Sequence, residues 1–236
     1  MQLFYHPDIE ADAREISFSK EESRHIAKVL RKNAGDRLNI TNGKGLLFTA
    51  ELSIVDHKSV LAKVISAEKQ PALPYHLHLA VAPTKLNDRY EWFLEKATEI
   101  GISEITPIIC DNSERKVIKA DRYERIIQSA IKQSLKVWKP RLNPAITYSK
   151  FVQQTHSEEK KCIAHCYPSE KVSIKHTINT GESVLVLIGP EGDFSPTEVD
   201  MATTHGFEPI HLGESRLRTE TAAVVACHSV AFINEG

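Results

Sequence analysis

Between Ser183 and Gly189 stand five apolar residues in unbroken succession, Val184-Leu185-Val186-Leu187-Ile188. A half-exposed strand alternates apolar with polar, and an amphipathic helix repeats every three to four residues; this run does neither. Its length suits a strand buried on both faces, the situation inside a parallel sheet covered by helices. The surrounding pattern agrees. From Tyr75 onward, strand-like runs at 76–82, 104–110, 161–166, 183–188 and 209–212 alternate with helical stretches at 88–100, 121–135, 196–205 and 220–233. Alternation over about 160 residues predicts an α/β domain. Ser195-Pro196-Thr197-Glu198 reads as a capping box with proline at the first helical position.

The front of the chain follows another rule. Ser19-Lys20-Glu21-Glu22 is a capping box opening a helix to about Arg31, with Ile26, Val29 and Leu30 on its buried side, and Gly35 suits the turn out. Short β-branched and apolar runs follow at 37–41, 46–55 and 59–67. Asn42-Gly43 supplies a hairpin turn, because both positions tolerate positive φ. This is the pattern of a small β-barrel. Lys69-Gln70-Pro71-Ala72-Leu73-Pro74 breaks the two patterns apart and predicts domains of residues 1–70 and 75–236.

Composition narrows the class. Apolar residues at 41% and charged residues at 26% exclude a disordered, collagen-like or coiled-coil chain. No stretch approaches the roughly 18 apolar residues of a membrane span. The opening residues, Met1 to Pro7, carry no basic region followed by an apolar one, so no secretory signal is expected. Four scattered cysteines, Cys110, Cys162, Cys166 and Cys227, fit a reducing cytosol and no disulfide scaffold. Cys162, His165 and Cys166 lack a second Cys/His pair at zinc spacing, so a core strand is expected there and no metal. Between Glu114 and Arg141, nine Lys and Arg stand against three Asp and Glu; from Val186 to Gly236, two stand against eight. The basic stretch, interleaved with Tyr123 and Trp138, suits looped or single-stranded RNA, although a solvated helix face explains most of it.

Two junctions near the C-terminus carry the chemistry. Gly189-Pro190-Glu191-Gly192 follows the buried strand and leads to a helix N-terminus, the place where open α/β sheets bind ligands. It is neither a phosphate-binding loop with lysine nor a GxGxxG fingerprint, so no nucleotide hydrolase or dinucleotide enzyme is indicated. By itself the loop is equally a tight structural turn. The second junction, Leu212-Gly213-Glu214-Ser215-Arg216-Leu217-Arg218-Thr219-Glu220-Thr221-Ala222, puts two arginines between a strand and a helix. They either face a cleft, pair with Glu191, Glu214 or Glu220, or lie solvated on a surface loop.

These two motifs, in this order, resemble the RsmE-type ribosomal RNA methyltransferases of the SPOUT superfamily. The resemblance extends to Leu94-Glu95-Lys96-Ala97-Thr98-Glu99-Ile100-Gly101-Ile102 with Ile105-Thr106-Pro107, to Glu114-Arg115 and to Gln133-Ser134. In the front domain it includes His25-Ile26-x-x-Val29-Leu30-Arg31 and Gly35-Asp36. It covers essentially the whole chain. Two departures stand out: Asp193 where the family usually has glycine, and Leu135-Lys136 where many members have Gly-Arg.

The resemblance implies an N-terminal PUA-like β-barrel and a C-terminal SPOUT α/β domain with a trefoil knot. It also implies a cytoplasmic homodimer with no metal. The implied reaction is S-adenosylmethionine-dependent methylation of N3 of one uridine in small-subunit (16S) ribosomal RNA, on the assembled 30S subunit. The cofactor would lie against Ile188, Gly189, Pro190, Glu191, Gly192, Leu212, Gly213, Arg216, Leu217, Thr221 and Ala222, with the stretch near His165 as a third wall. Uridine N3 must lose a proton to attack, so a cation that stabilises the anion is required. Arg218 and Arg115 are the candidates, with Glu220 or Glu191 orienting an arginine. His25, Arg31, Arg115, Lys132 and Lys136 are the expected RNA contacts. The competing expectations are a related enzyme acting on another RNA position and an RNA-binding or assembly factor without catalysis.

Overall fold

The computed structural model describes residues 2–235. They divide into two compact units, Met1–Ala72 with Ile131–Lys139, and Leu73–Ala130 with Pro140–Gly236.

The front unit contains β1 (Leu3–Tyr5), β2 (Glu15–Ser17), α1 (Lys20–Arg24), β3 (Arg37–Thr41), β4 (Leu46–Val55) and β5 (Val60–Lys69). Its sheet runs β1-β3-β4-β5-β2. Only the β1–β3 pair is parallel. Among the described residues β1 and β2 do not pair, so the expected barrel is a five-stranded sheet with two edges. Register shifts at Thr49/Ala50 and Leu52/Ile54 mark irregularities where the long β4–β5 ribbon bends. Ser19 caps α1 by accepting the Glu22 N–H at 3.2 Å, but the helix does not continue to Arg31. A π-turn spans His25–Val29, with the Leu30 N–H on the His25 carbonyl at 3.0 Å. Widening to five residues per hydrogen bond rotates the face. Ile26 stays fully buried, whereas Val29, expected inside, is 65% exposed.

The segment 131–139 corrects the expected boundary of the second domain. The Gly45 N–H donates to the Val137 carbonyl, and the Lys139 N–H donates to that of Gly43, both at 2.9 Å. The Trp138 indole N–H points at the carbonyls of Gln70 and Pro71, at 3.2 and 3.0 Å. A Cβ at Gly45 would meet the Trp138 ring at 2.3 Å, and φ there is +90°, so only glycine admits the tryptophan.

The second unit contains β6 (His76–Val81), α2 (Asn87–Ile100), β7 (Glu104–Ile109), α3 (Ala120–Ser134, whose last turn belongs to the front unit), β8 (Arg141–Leu142), β9 (Ile146–Thr147) and α4 (Tyr148–Val152). It continues with β10 (Lys160–Ala164), β11 (Val172–Ser173), α5 (Ile174–Thr177), β12 (Ser183–Ile188), α6 (Pro196–Thr204), β13 (Glu208–His211) and α7 (Thr219–Ile233). The sheet order is β11-β13-β10-β12-β6-β7-β8, with β9 also on β7. Every pair is parallel, as the alternation predicts. Central β12 pairs with β10 and β6, placing Val186 opposite Cys162 and Leu79. Val184, Val186 and Ile188 pack with Tyr90 and Phe93 of α2 and with Ala226 and Val230 of α7. Leu185 and Leu187 pack on the other face with Phe151 and Phe194.

One buried polar network is set into this apolar sheet. His78 of β6 contacts Glu158 Oε1 through Nδ1 at 2.8 Å and Thr106 Oγ1 through Nε2 at 2.7 Å. The Asn143 amide reaches the same threonine at 2.7 Å. Burial pushes the Glu158 carboxyl up, but the His78 hydrogen bond, its own N–H and the charges of His78 and His156 outweigh it and hold the pKa down at about 2. A carboxyl depressed in the folded state adds stability that is present above its unfolded pKa and lost as pH falls through the folded one. Glu158→Gln is therefore expected to cost about 3 kcal/mol at neutral pH. In urea unfolding, its gap from the parent should close as pH falls from about 5 towards 2; a constant gap would contradict the pairing.

Candidate active site

The C-terminal ends of β10, β12 and β13 lie side by side, because these strands neighbour one another and run in parallel. Their loops enclose two adjoining clefts of about 580 Å³ and about 270 Å³. Ala164, Cys166, Asp193, Arg216, Leu217 and Ala222 line both. Gly192, Leu212 and Gly213 line the larger; Ile188, Gly189, Pro190, Glu191, Arg218 and Thr219 line the smaller. Of the residues expected to hold a cofactor, Thr221 alone lines neither. The expected strand over 161–166 ends at Ala164, which releases His165 and Cys166 into the cleft wall.

Hydrogen bonds fix the loops. Ser195 and Glu198 form the predicted capping box at the start of α6, with Ser195 Oγ accepting the Glu198 N–H and Glu198 Oε2 accepting the Ser195 N–H. Glu198 is 4% exposed, and its other oxygen accepts the Asp111 N–H at 2.9 Å. Burial raises the pKa of this carboxyl against the opposing effect of those amides. The Asn112 amide donates to the Gly192 and Asp193 carbonyls at 3.2 and 3.1 Å. Asp193 itself has φ +64°, the left-handed region that explains glycine as the alternative. Its carboxylate accepts the N–H groups of Cys166 and Phe194 at 2.8 and 2.9 Å, tying the β10 loop to the β12 loop.

The charged candidates separate. Arg218 is the N-cap of α7 and is exposed, as is Arg216. Among the described residues neither forms an ion pair or a side-chain hydrogen bond, so the expected pairing with Glu191, Glu214 or Glu220 is not met; both line the clefts and remain exposed. Glu191 is engaged elsewhere, accepting the Lys85 N–H at 2.9 Å. Arg115 donates from Nε to the Thr84 carbonyl at 3.1 Å and from Nη2 to that of Lys85 at 2.8 Å. Lys85 in turn pairs with Glu114 at 2.8 Å. Arg115 thus holds the loop after β6 in register with Glu191, and lines neither cleft. Glu220 does not orient Arg216 or Arg218. It is 7% exposed, in the first turn of α7 and turned towards α2, with Oε1 at 3.9 Å from Arg89 Nε.

Four expected RNA contacts belong to the front unit. His25 packs edge-on against Phe4, 6.4 Å between ring centroids. Arg31 is exposed at φ +52°. Lys132 lies 3.1 Å from Glu22, and Lys136 follows the end of α3, its N–H on the Ile131 carbonyl. Among the described residues no metal-holding cluster occurs.

Comparison with known proteins defines the class. Residues 71–231 match the RNA methyltransferase domain model, and residues 18–65 match the RNA methyltransferase PUA domain. The protein is an RNA methyltransferase with a PUA domain in front. Ribosomal RNA small subunit methyltransferase E of Buchnera aphidicola (subsp. Acyrthosiphon pisum) is 31% identical over 225 residues, 91% of this chain and 87% of its own. A probable rRNA-methyltransferase from Porphyromonas gingivalis superposes with a TM-score of 0.92 at 42% identity, covering 99% of this chain and 98% of its own. A Neisseria gonorrhoeae ribosomal RNA small subunit methyltransferase E, bound to S-adenosyl methionine, gives 0.86 at 27% identity, with 99% and 98% covered. The chain belongs to the ribosomal RNA small subunit methyltransferase E family.

The left-handed backbone at Asp193 is testable by stability alone. Asp193→Gly loses two hydrogen bonds but keeps the left-handed backbone. Asp193→Ala loses both and adds strain, so it should be the less stable by about 1 kcal/mol in thermal or urea unfolding. The reverse order would show that the left-handed backbone at this position does not limit the turn.

Proposed function

We propose that this chain transfers a methyl group from S-adenosylmethionine to N3 of one uridine in small-subunit ribosomal RNA, acting on the assembled 30S subunit. The observation that carries the reading is the pair of unpartnered arginines, Arg216 and Arg218, at a cleft walled by three parallel strand ends. The larger cleft falls in the size range of small-molecule sites. Ile210, Leu212, Leu217 and Ala222 give it an apolar wall for a purine. The buried His165 ring in the same wall has no partner within the chain, which also fits a bound polar ligand. Gly192 and Gly213 bring backbone up to that space without side chains, and Gly189 does so in the smaller cleft. The residues present therefore fit the donor, which when bound supplies an electrophilic methyl on sulfonium sulfur.

The chain must then position uridine N3 and stabilise the anion left when the N3 proton departs. Arg218 suits this role, since a guanidinium stays charged at neutral pH and the two carboxylates in the same cleft, Glu191 and Asp193, are engaged by the backbone N–H groups of Lys85 and Cys166. The target base has to be unstacked to enter. Arg115 acts one step back in this scheme, by fixing the Thr84–Lys85 loop and through it Glu191. His25, Arg31, Lys132 and Lys136 offer the front unit's contacts to the RNA backbone. Insertion of the late strand β12 between the earlier β6 and β10 supports a knotted domain. Exposed Trp92 on α2 and Phe232 on α7 support association of two copies. Action on ribosomal subunits places the chain in the cytoplasm in this reading; no helix among the described residues is long and apolar enough to cross a membrane.

The test is transfer of labelled methyl from S-adenosylmethionine to small subunits from cells lacking this protein, with the labelled nucleotide mapped. Label at N3 of a single uridine is expected. Label at another atom would favour the related-enzyme reading, and no label with no donor binding would favour a binding factor. Arg218→Ala should melt as the parent does and lose turnover by on the order of 100-fold or more; full activity would remove Arg218 from the mechanism.

A further inference from the structure

His165 follows β10 directly, and its ring lies in the wall of the larger cleft, 6% exposed. Neither ring nitrogen has a hydrogen-bond partner. Only four buried side-chain polar atoms among the described residues share that condition, and two of them are on this one ring. A buried imidazole with both nitrogens unsatisfied is costly, and such a group calls for a specific explanation.

The backbone around it is well held. The His165 carbonyl accepts the Lys171 ammonium at 2.9 Å, and the next N–H, of Cys166, is bound by Asp193. Tyr167, whose ring is 6.0 Å from that of His165, donates its hydroxyl to the Phe194 carbonyl at 2.8 Å. The fold thus fixes this segment on both sides of the ring and gives the ring no partner. Burial, and then the Lys171 charge, lower the imidazole pKa against the opposing pull of Asp193, so the ring is neutral. A neutral imidazole offers one N–H and one lone pair. With Ile210, Leu212 and Leu217 nearby in the cleft wall, the neutral ring matches an uncharged, hydrogen-bonding nucleoside, while Lys171, Asp193, Glu214 and Arg216 of the same wall are the charged groups available to an amino-acid carboxylate or ammonium.

We propose that His165 is a positioning residue for the methyl donor, its ring hydrogen-bonding the purine nucleoside part of that ligand. This rests on the donor reading above and assigns the group that orients the donor within the cleft.

Calorimetric titration of the full chain with S-adenosylhomocysteine and with adenosine tests it. His165→Ala should bind both about tenfold more weakly, the loss of one hydrogen bond, while His165→Asn, which keeps a donor and an acceptor, should recover part of the loss. Unliganded melting curves confirm that each variant folds. Independently of any variant, the ¹⁵N signals of the His165 ring in the parent protein should shift when adenosine saturates the site. Unchanged affinities in His165→Ala, or unmoved ring signals at saturation, would overturn the assignment. A loss confined to S-adenosylhomocysteine would overturn the nucleoside part of it. Failure of the parent protein to bind either compound would instead overturn the donor reading itself.

Discussion

The second unit is organised by the burial of one strand on both faces between two parallel neighbours. β12 has no polar residue between Ser183 and Gly189, so it is stable only where side chains cover it above and below. That requirement places α2 and α7 on one face and α4 and α6 on the other. It also determines where the chain can do chemistry. A parallel strand leaves the sheet at the same end as its neighbours, so the Gly189–Gly192 loop emerges beside the loops after β10 and β13. Burial of five apolar side chains thus dictates the position of a polar cleft.

Proximity of three loops does not by itself give them a shape. Here carboxylates supply it by accepting backbone N–H groups from loops other than their own. Glu198 joins the start of α6 to Asp111 after β7, Asp193 joins the β12 loop to Cys166 after β10, and Glu191 joins it to Lys85 after β6. Ser195 Oγ extends the first of these by donating to Asp111 Oδ2 at 2.8 Å. Each is a charge-assisted bond between segments far apart in sequence, stronger and more directional than a neutral one. Arg115 does the same with opposite sign, using its planar fork on two adjacent carbonyls.

Elements whose cause is local were legible in the sequence. β12 follows from five apolar residues, α6 from the Ser195–Glu198 box, and the β3–β4 hairpin from Asn42-Gly43. The two-residue strands β8, β9 and β11 were not, since they are too short for any period to register and exist because a neighbour offers hydrogen bonds. The π-turn at His25–Val29 was invisible for a related reason: the spacing of Ile26, Val29 and Leu30 fits a regular helix, and only the structure shows the extra residue that turns Val29 outward. Trp138 read as part of a basic, aromatic stretch, whereas its contact at Gly45 lies more than ninety residues away in sequence. In the site, the glycines and Leu212–Arg218 were legible as a motif. The separate fates of Glu220, Arg115 and Arg216 were not, because motif spacing does not say which way a side chain turns at a helix start. By its pattern His165 read as a core strand residue, the family resemblance alone put its stretch at the donor site, and nothing in its neighbours' sequence reveals that its nitrogens lack partners.

The charge pattern of the C-terminal fifth acquires a meaning once the carboxylates are traced. From Val186 to Gly236 the chain has eight acidic residues and two basic ones. An acidic surround would ordinarily neutralise both arginines. Instead Glu191, Asp193 and Glu198 are occupied by backbone N–H groups, Glu208 by Lys160 at 2.9 Å, and Glu220 faces Arg89 on the far side of the helix start. Each of these contacts engages a carboxylate with a group other than Arg216 or Arg218, although Glu220 Oε2 stays without a partner, and both arginines are left without an ion pair in the cleft wall. A positive charge kept unpaired by the engagement of its neighbours needs no reorganisation to meet an anion, which is the condition under which electrostatic stabilisation is most effective.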